Sequence, residues 1–394
     1  MTKAAPAKRR EPTIPSRFAL VGGGTGGHVY PALAVAEELK RLVPQANLLF
    51  IGGDRLERKV VPAAGLPFRT ISVHGLAGRG LSAWARRVRS AAELLIGLPL
   101  WQSLLILRRF RPQAVIGTGG YVSGPVILAA RMMRIPCLAV EGNRTPGLTS
   151  RIVSRMVQVM AVAWPDLAPF FAARMRRDAR VVVTGMPVRS ALLELTREQG
   201  AAALGFDPAR PILLVLGGSL GSQRINKAVT GALRVLENAE ANTRDLQVLH
   251  MVGPERLPGA SQEEMQALVP GYRAVRYLDQ DYPHAIAAAD LVVARAGAST
   301  VAEIIARHLP SVLVPWAAAS TGEQMRNAEP LARSGAAAVI PDSELTPQRL
   351  AQTLSEILWD PERRERMSQA AGLLGHADAA ARVAELALGL ARGD

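Results

Sequence analysis

Cysteine and aromatic residues are both scarce in this chain. Among its 394 residues there is one cysteine, Cys137, and phenylalanine, tryptophan and tyrosine together make up 4%. A single cysteine excludes an internal disulfide, so we expect a protein of the reducing cytosol. So few aromatic side chains also disfavour a surface on which bases stack, which counts against a nucleic-acid partner.

Clustered metal ligands are missing as well. The six histidines do not fall at spacings typical of metal sites, and His28 alone lies in a glycine-rich loop. Asp279 and Asp281 form an Asp-x-Asp pair of the kind that binds metal in some enzymes. Because this pair directly precedes a helical segment, Asp281 is better explained as an N-cap. We expect neither a metal nor an organic cofactor.

No apolar run is long enough to span a bilayer, for which about 20 residues are needed. The nearest, residues 94–107, is interrupted by Gly97, Pro99 and Gln102. Two interpretations of this run stay open: a buried helix-turn-helix, or an element at a membrane surface. Residues 1–15 are basic and proline-rich without an apolar core, which predicts a disordered tail and not a signal peptide.

Acidic residues are few in the first half of the chain only. Residues 1–190 contain 28 lysines and arginines against 9 acidic residues, whereas residues 191–394 contain 19 against 24. This asymmetry predicts that the first half faces an anionic partner, either nucleic acid or anionic lipid. The low aromatic content favours lipid.

What the sequence does contain is a regular alternation of short apolar runs with helical periodicity, which is typical of βαβ units and parallel sheets. A strand followed by a glycine-rich loop occurs near the start of each half, at residues 18–21 and 212–216. We therefore predict an α/β protein of two Rossmann-like domains that face each other across a cleft, linked near residues 185–189. The other predicted strands are residues 47–51, 68–73, 113–116, 136–140, 180–183, 246–252, 273–277, 291–293, 311–314 and 336–340.

The first glycine-rich loop, GGGTGGHVYP at residues 22–31, bares the backbone between a strand and a helix. Backbone N–H groups and a helix N-terminus in this arrangement can bind an anion. Gly22, Gly24 and Gly27 also satisfy the Gly-x-Gly-x-x-Gly pattern of nicotinamide and flavin enzymes. His28, at the edge of the loop, has a side chain suited to proton transfer near neutral pH.

A second glycine-rich turn, residues 117–125, follows another predicted strand. Gly119 and Gly120 bare the backbone, and Ser123 is placed to cap the next helix. A tight turn without a ligand is the alternative. Because the carboxyl ends of parallel strands meet at one edge of a sheet, two such loops indicate a ligand site there. Two polar residues predicted at the same edge are Glu141 and Asn143.

In the second half, the loops at residues 217–221 and 295–300 follow strands in the same way. Glu303, one turn into the helix after the second loop, can accept hydrogen bonds from ribose hydroxyls. It can instead form a capping box with Thr300, and both interpretations stay open. Residues 322–328 begin another helix with polar groups suited to a sugar.

Taken together and in order, these motifs closely resemble the MurG family of glycosyltransferases, over about residues 17–390. The resemblance implies the GT-B fold and an inverting glycosyl transfer that needs no cofactor. The implied reaction moves N-acetylglucosamine from UDP-N-acetylglucosamine to undecaprenyl-pyrophosphoryl-N-acetylmuramoyl-pentapeptide. This is the step from lipid I to lipid II in peptidoglycan synthesis. It also implies a peripheral enzyme on the cytoplasmic face of the cell membrane, with an anionic membrane surface and other cell-wall and division proteins as partners. The matching segments are residues 22–31, 117–125, 141–149, 185–189, 217–221, 295–303 and 324–328.

The resemblance also divides the chain. We expect membrane docking through residues 76–111, with Leu81 and Trp84 exposed among arginines. The expected parts are a tail at residues 1–15, an acceptor- and membrane-binding domain at 16–188, a UDP-N-acetylglucosamine-binding domain at 189–361, and a C-terminal helix at 362–394 that crosses back to the first domain.

Roles for individual residues follow from the same resemblance. His28 matches the family's loop histidine and is the leading candidate for the base that deprotonates the acceptor hydroxyl, with Glu141 as the alternative. The donor site would comprise Thr25, Gly26, Gly27, Asn143, Arg189, Ser219, Leu278, Ala298, Ser299, Thr300, Glu303 and Gln324. The acceptor site would comprise Gly24, His28, Gly119, Gly120, Tyr121 and Ser123.

Other functions share parts of this pattern. Another UDP-sugar enzyme of the same fold, such as an epimerase or a glycolipid synthase, is one. A nicotinamide-dependent oxidoreductase is another, although Gly52 and Gly53 stand where it would carry its ribose-binding acid. The chain departs from the family's usual residues at Val140, Gly142, Met186 and Glu323.

Overall fold

The chain folds into two α/β domains, each built on one parallel sheet. The computed structural model describes residues 16–73, 97–218, 221–239, 242–254, 257, 259–316, 322–375 and 377–393. The first sheet ends at Val183 and the second begins at Ile212. The predicted fold class, two Rossmann-like domains with parallel sheets, is confirmed.

The first sheet has seven strands in the order β3-β2-β1-β4-β5-β6-β7. Its strands are β1 (Arg17–Val21), β2 (Asn47–Gly52), β3 (Phe68–Thr70), β4 (Ala114–Gly117), β5 (Cys137–Glu141), β6 (Val159–Val162) and β7 (Arg180–Val183). The helices described between them are α1 (Gly26–Leu42), α2 (Leu56–Ala63), α3 (Leu98–Phe110), α4 (Ser123–Met132), α5 (Leu148–Val153) and α6 (Ala168–Ala172).

The second sheet has six strands in the order β10-β9-β8-β11-β12-β13. They are β8 (Ile212–Leu216), β9 (Gln247–Met251), β10 (Gly271–Val275), β11 (Leu291–Ala294), β12 (Ser311–Leu313) and β13 (Ala337–Val339). The helices described here are α7 (Ala191–Glu194), α8 (Arg197–Leu204), α9 (Gln223–Asn238), α10 (Gln262–Leu268), α11 (Tyr282–Ala288), α12 (Ala298–Ala306), α13 (Glu323–Ser334), α14 (Pro347–Leu358), α15 (Pro361–Gly372) and α16 (Ala379–Arg392).

Both faces of the first sheet are covered. Successive side chains of β1 point to opposite faces, so Phe18 and Leu20 join one apolar cluster while Ala19 and Val21 join another. All four are fully buried. A strand buried on both faces has no polar alternation, which is why these strands are continuous aliphatic runs in the sequence.

Strand order reverses at one point in each sheet, and this places the functional loops. In the first sheet β1 lies between β2 and β4, and in the second β8 lies between β9 and β11. Ligands of doubly wound sheets bind at the carboxyl ends of the strands beside such a reversal. All four loops singled out in the sequence follow β1, β4, β8 or β11.

Two elements differ from the prediction. Strand β6 was missed, because its four apolar residues follow a helix without any glycine or proline to mark a strand. The single helix expected to end the chain is two helices, α15 and α16, separated by a short break. Helix α16 packs against α1, β4 and β5, where Val383 and Ala387 are fully buried in the apolar core of the first domain.

Candidate active site

A cleft of about 600 Å³ lies between the carboxyl edges of the two sheets. A smaller pocket of about 140 Å³ opens beside it. The two cavities adjoin, since they share the wall residues Thr25, Gly27, Gly218, Ser299 and Thr300. Both domains therefore contribute to one site.

The two glycine-rich loops of the first domain touch each other on one side of this cleft. Gly119 and Gly120 both have positive φ, at 106° and 78°. A Cβ on Gly120 would collide with the carbonyl oxygen of Gly23, and one on Gly119 would lie 2.6 Å from Nδ1 of His28. Glycine is therefore required at both positions for steric as well as conformational reasons.

The backbone fixes the tautomer of His28. Its Nδ1 lies 3.1 Å from the carbonyl oxygen of Thr118, which can only accept a hydrogen bond, so Nδ1 carries the proton. The neutral ring then keeps a lone pair on Nε2. Because His28 lines the cleft, this nitrogen can accept a proton from a bound hydroxyl group.

Glu57 is a residue of this site that the sequence analysis missed. Its carboxylate is fully buried and accepts hydrogen bonds from the N–H groups of Gly24, at 3.2 Å, and Gly53, at 2.9 Å. It thereby ties the first glycine-rich loop to the loop after β2. Nothing local in the sequence marks it, because Glu57 lies one turn into α2 like many surface glutamates.

Glu141 lines the cleft but is already occupied by its own loop. It accepts the backbone N–H of Asn143 at 2.9 Å and of Gly147 at 3.3 Å, and the Asn143 side chain donates to it at 3.3 Å. These three hydrogen bonds tie the carboxylate to its own loop, so its oxygens are already used as acceptors. Its geometry therefore favours His28 as the base.

Helix α12 presents its N-terminus to the cleft. The first N–H groups of a helix have no acceptor within it, and the N-cap here is Gly297, which has no side chain to supply one. The N–H groups of Ala298, Ser299 and Thr300 are therefore suited to phosphate oxygens. Since Thr300 lies inside the helix, the capping box with Glu303 is wrong.

Glu303 lies at the floor of the smaller pocket and receives a hydrogen bond from Tyr282 Oη at 2.5 Å. Burial raises the pKa of Glu303 to about 7, against the opposing effects of the Tyr282 hydrogen bond and the positive charge of Arg189. The Arg189 guanidinium stacks on Tyr30, 4.5 Å from the ring centroid. The Nε atom of Arg189 is buried and has no hydrogen-bond partner in the described part of the chain.

The Asp-x-Asp pair lies at an exposed edge between the domains. Asp279 pairs with Lys59 of the first domain, at 3.4 Å, and Asp281 immediately precedes α11. Asp281 occupies the N-cap position, but its side chain makes no capping hydrogen bond. Among the described residues, no group of three or more potential ligands is arranged to hold a metal ion.

The predicted site residues fall into three groups. Those lining the cleft are Thr25, Gly27, His28, Gly119, Glu141, Asn143, Ala298, Ser299, Thr300 and Gln324. Those that line the smaller pocket only are Gly26, Leu278 and Glu303. Gly24, Gly120, Tyr121, Ser123 and Arg189 line neither cavity, and Ser219 lies outside the described residues.

The residues behind the second glycine-rich loop support it. Ser123 does not cap α4, because the helix begins at Ser123 itself; its hydroxyl donates to the carbonyl oxygen of Gly119 at 2.7 Å. Tyr121 packs close to Gly24, and its buried hydroxyl has no hydrogen-bond partner among the described residues. Ser123 and Tyr121 therefore hold the two loops in place from the side away from the cleft.

Two of the departures from the family pattern lie in contact. A Cβ on Gly142 would approach the sulfur of Met186 to 2.5 Å, so Met186 occupies the space that a side chain at position 142 would take. Both residues line the cleft. A larger residue at position 142 would therefore need a different partner at position 186.

Helix α3 presents an apolar face to solvent. Leu98, Trp101 and Leu105 are 61%, 65% and 66% exposed, and their spacing places them on one side of the helix. Arg108 and Arg109 at its end are also exposed. In the described part of this run, residues 97–107, neither the buried nor the surface interpretation holds throughout, because Leu100 and Leu107 are buried. The expected docking residues Leu81 and Trp84 lie outside the described residues.

Helices long and apolar enough to cross a membrane are not found in the part of the chain that the structure describes.

The chain matches two family models. Residues 18–162 match the glycosyltransferase family 28 N-terminal domain, and residues 212–383 match the glycosyltransferase family 28 C-terminal domain. A crystal structure of Acinetobacter baumannii MurG superimposes with a TM-score of 0.69 at 27% identity, covering 95% of this chain and 99% of that one. The predicted GT-B fold is confirmed.

Two curated relatives are similar over nearly their whole length. The protein from Desulforudis audaxviator is 42% identical over 91% of this chain and 94% of its own. The one from Anaeromyxobacter dehalogenans is 41% identical over 95% of this chain and 93% of its own. Both are named UDP-N-acetylglucosamine–N-acetylmuramyl-(pentapeptide) pyrophosphoryl-undecaprenol N-acetylglucosamine transferase.

The raised pKa of Glu303 predicts a pH-dependent stability. Between about pH 4.5 and 7 the folded protein keeps a proton that the unfolded chain has lost, so the free energy of unfolding falls as pH rises through this window. Glu303→Gln should abolish this decrease in the free energy of unfolding, which amounts to at most about 3 kcal/mol by pH 8. Urea unfolding of both proteins at pH 5 and pH 8 measures it. Glu362→Gln, at an exposed glutamate, is the control; a stability difference that does not change with pH would contradict the prediction.

Proposed function

Since the chain belongs to glycosyltransferase family 28 and, within it, to the MurG family, we propose that it transfers N-acetylglucosamine from UDP-N-acetylglucosamine to undecaprenyl-pyrophosphoryl-N-acetylmuramoyl-pentapeptide. The observation that carries the proposal is a single cleft in which His28, the glycine-rich loops and the N-terminus of α12 meet. The chain is an N-acetylglucosaminyltransferase, as its sequence predicted.

The reaction is a displacement at the anomeric carbon of the donor sugar. The acceptor hydroxyl oxygen forms the new bond from the face opposite UDP, the bond from that carbon to the UDP oxygen breaks, and configuration inverts. Nε2 of His28 takes the hydroxyl proton, since Nδ1 is held as a donor to Thr118. General-base assistance of this kind contributes roughly 10² to 10⁴ in rate.

The donor occupies the second domain's side of the cleft. The N–H groups at the start of α12 receive the diphosphate and stabilise the charge that develops on the departing UDP. Glu303, in the smaller pocket, accepts hydrogen bonds from the ribose hydroxyls, and Asn143 and Gln324 contact the sugar. The acceptor pyrophosphate lies against the loops that contain Gly24 and Gly119.

We expect radiolabelled sugar to move from UDP-N-acetylglucosamine to the lipid-linked acceptor when the purified protein is added. Extraction of the lipid product and scintillation counting measure the transfer. Conversion of the donor to its epimer without an acceptor would instead indicate an epimerase of the same fold, and tight binding of NADH with no transfer would indicate an oxidoreductase.

His28→Gln should lower kcat by about 10² to 10⁴, because the variant loses the imidazole nitrogen that takes the hydroxyl proton, while UDP still binds. Initial rates at saturating substrates and calorimetric titration with UDP measure both quantities. Glu141→Gln is the comparison. If Glu141→Gln lowers kcat to this extent and His28→Gln does not, the base is Glu141.

The first domain docks on the cytoplasmic face of the membrane, because the polyprenyl chain of the acceptor cannot leave the bilayer without a large cost. The exposed face of α3 supports this, with Leu98, Trp101 and Leu105 available for the interface. The exposed Arg108 and Arg109 can meet lipid phosphates, each contributing about 1 kcal/mol near an anionic surface.

Trp101→Ser combined with Leu105→Ser should weaken binding to vesicles that contain phosphatidylglycerol by roughly tenfold or more, since each apolar side chain contributes about 1.5–3 kcal/mol when buried. Vesicle flotation at low and high salt measures it. Leu373→Ser, at a leucine of the second domain that is 89% exposed, is the matched control. If the double variant and the Leu373→Ser control lose vesicle binding equally, or if neither loses it, α3 is not part of the docking surface.

A further inference from the structure

A loop of the first domain is fastened to a helix of the second by one arginine. Arg144, just beyond β5, pairs through Nη1 with Glu329 of α13 at 2.8 Å and donates to the backbone carbonyl of Arg326 at 3.2 Å. Its Nη2 pairs with Asp166 of its own domain at 2.5 Å. The side chain is only 14% exposed and lies over the Trp164 ring. The guanidinium thus bonds to both domains at once.

Asn327 completes this contact next to Arg144. It is almost fully buried, and its Oδ1 accepts the backbone N–H of Arg144 at 3.0 Å. Its Nδ2 donates to the side chain of Asn143 at 3.1 Å and to the carbonyl of Ala296 at 3.1 Å. An amide of the second domain therefore sets the orientation of Asn143, which faces the cleft from the first.

Three further polar contacts between the domains near the cleft are weaker. Lys59 and Asp279 are 78% and 54% exposed, so their attraction is screened by solvent. The hydroxyl groups of Tyr30 and Tyr277 meet at 3.2 Å, and Ser299 donates to the carbonyl of Gly27 at 3.3 Å. Each of these is a single bond, whereas Arg144 and Asn327 make several that share one buried junction.

We propose that Arg144 is a positioning residue that holds the cleft closed before the donor binds. By fastening α13 to the loop after β5, it fixes Asn143 and the start of α13, where Gln324 lines the cleft. The inference rests on the proposed function for the identity of the donor, but the closure itself is a property of the free protein. When the closed form is only partly populated, apparent donor affinity falls by the same fraction.

Arg144→Gln should raise the Kd for UDP-N-acetylglucosamine, measured by calorimetry without acceptor, by about three- to tenfold. The KM for the acceptor and kcat at saturating donor should change less than about twofold, because donor binding restores the closed form. The radius of gyration from small-angle X-ray scattering should increase in the free variant and return to the wild-type value with saturating donor.

Arg144→Lys should behave like the glutamine variant, since an ammonium group cannot reproduce the planar fork that bonds Glu329, Asp166 and a carbonyl together. Glu329→Gln removes one partner while leaving Arg144 paired within its own domain, and should give the same changes to a smaller extent. Arg176→Gln breaks an ion pair with Asp178 that lies wholly in the first domain, and is the matched control.

Unchanged donor affinity and an unchanged radius of gyration in both Arg144→Gln and Glu329→Gln would overturn the proposal. So would a lowered melting temperature with normal donor affinity, which marks a purely structural arginine. If the wild-type protein neither binds the donor nor transfers sugar, the proposed function fails, and the scattering comparison of the free proteins still decides whether Arg144 holds the domains together.

Discussion

The close approach of the two glycine-rich loops in the first domain is the contact on which the rest of the site depends. Gly120 lies against the backbone of Gly23, and Gly119 against the ring of His28, with no room for a Cβ at either position. This packing brings the imidazole beside the carbonyl of Thr118, which fixes the proton on Nδ1. The chemistry of the histidine is therefore a consequence of backbone packing, and it needs no charged partner.

Three buried carboxylates lie in or near the cleft, and each is hydrogen-bonded within the protein. Glu57 accepts N–H groups from two loops, Glu141 organises the loop that follows it, and Glu303 receives the hydroxyl of Tyr282. A buried charge is tolerated when it is hydrogen-bonded in this way. Glu57 and Glu141 hold loops in place, and Glu303 is bonded to Tyr282. The N–H groups at the start of α12 line the cleft and are suited to an anion.

The sequence predicted the fold well because strands buried on both faces are continuous aliphatic runs. The rule that parallel strands end at one edge likewise brought His28, Gly119, Asn143 and Ala298 into one cleft. Side-chain partners distant in sequence could not be predicted. Tyr282 lies 21 residues before Glu303, so local periodicity offered a capping box as one interpretation and gave no sign of the real contact. Glu57 and Asn327 were not recognised as supports for the same reason.

The uneven charge of the chain gives the two domains different relations to an anionic surface. The basic first half also contains the exposed apolar face of α3, whereas the second half carries a slight excess of acidic residues. An anionic membrane attracts the first and repels the second, which would orient the molecule with its acceptor loops nearer the lipid. The second domain's wall of the cleft includes the N-terminus of α12, whose N–H groups attract an anion although the second half of the chain is slightly acidic. On the proposed function, donor binding and membrane attachment therefore depend on separate electrostatic features, so one can be altered without disabling the other.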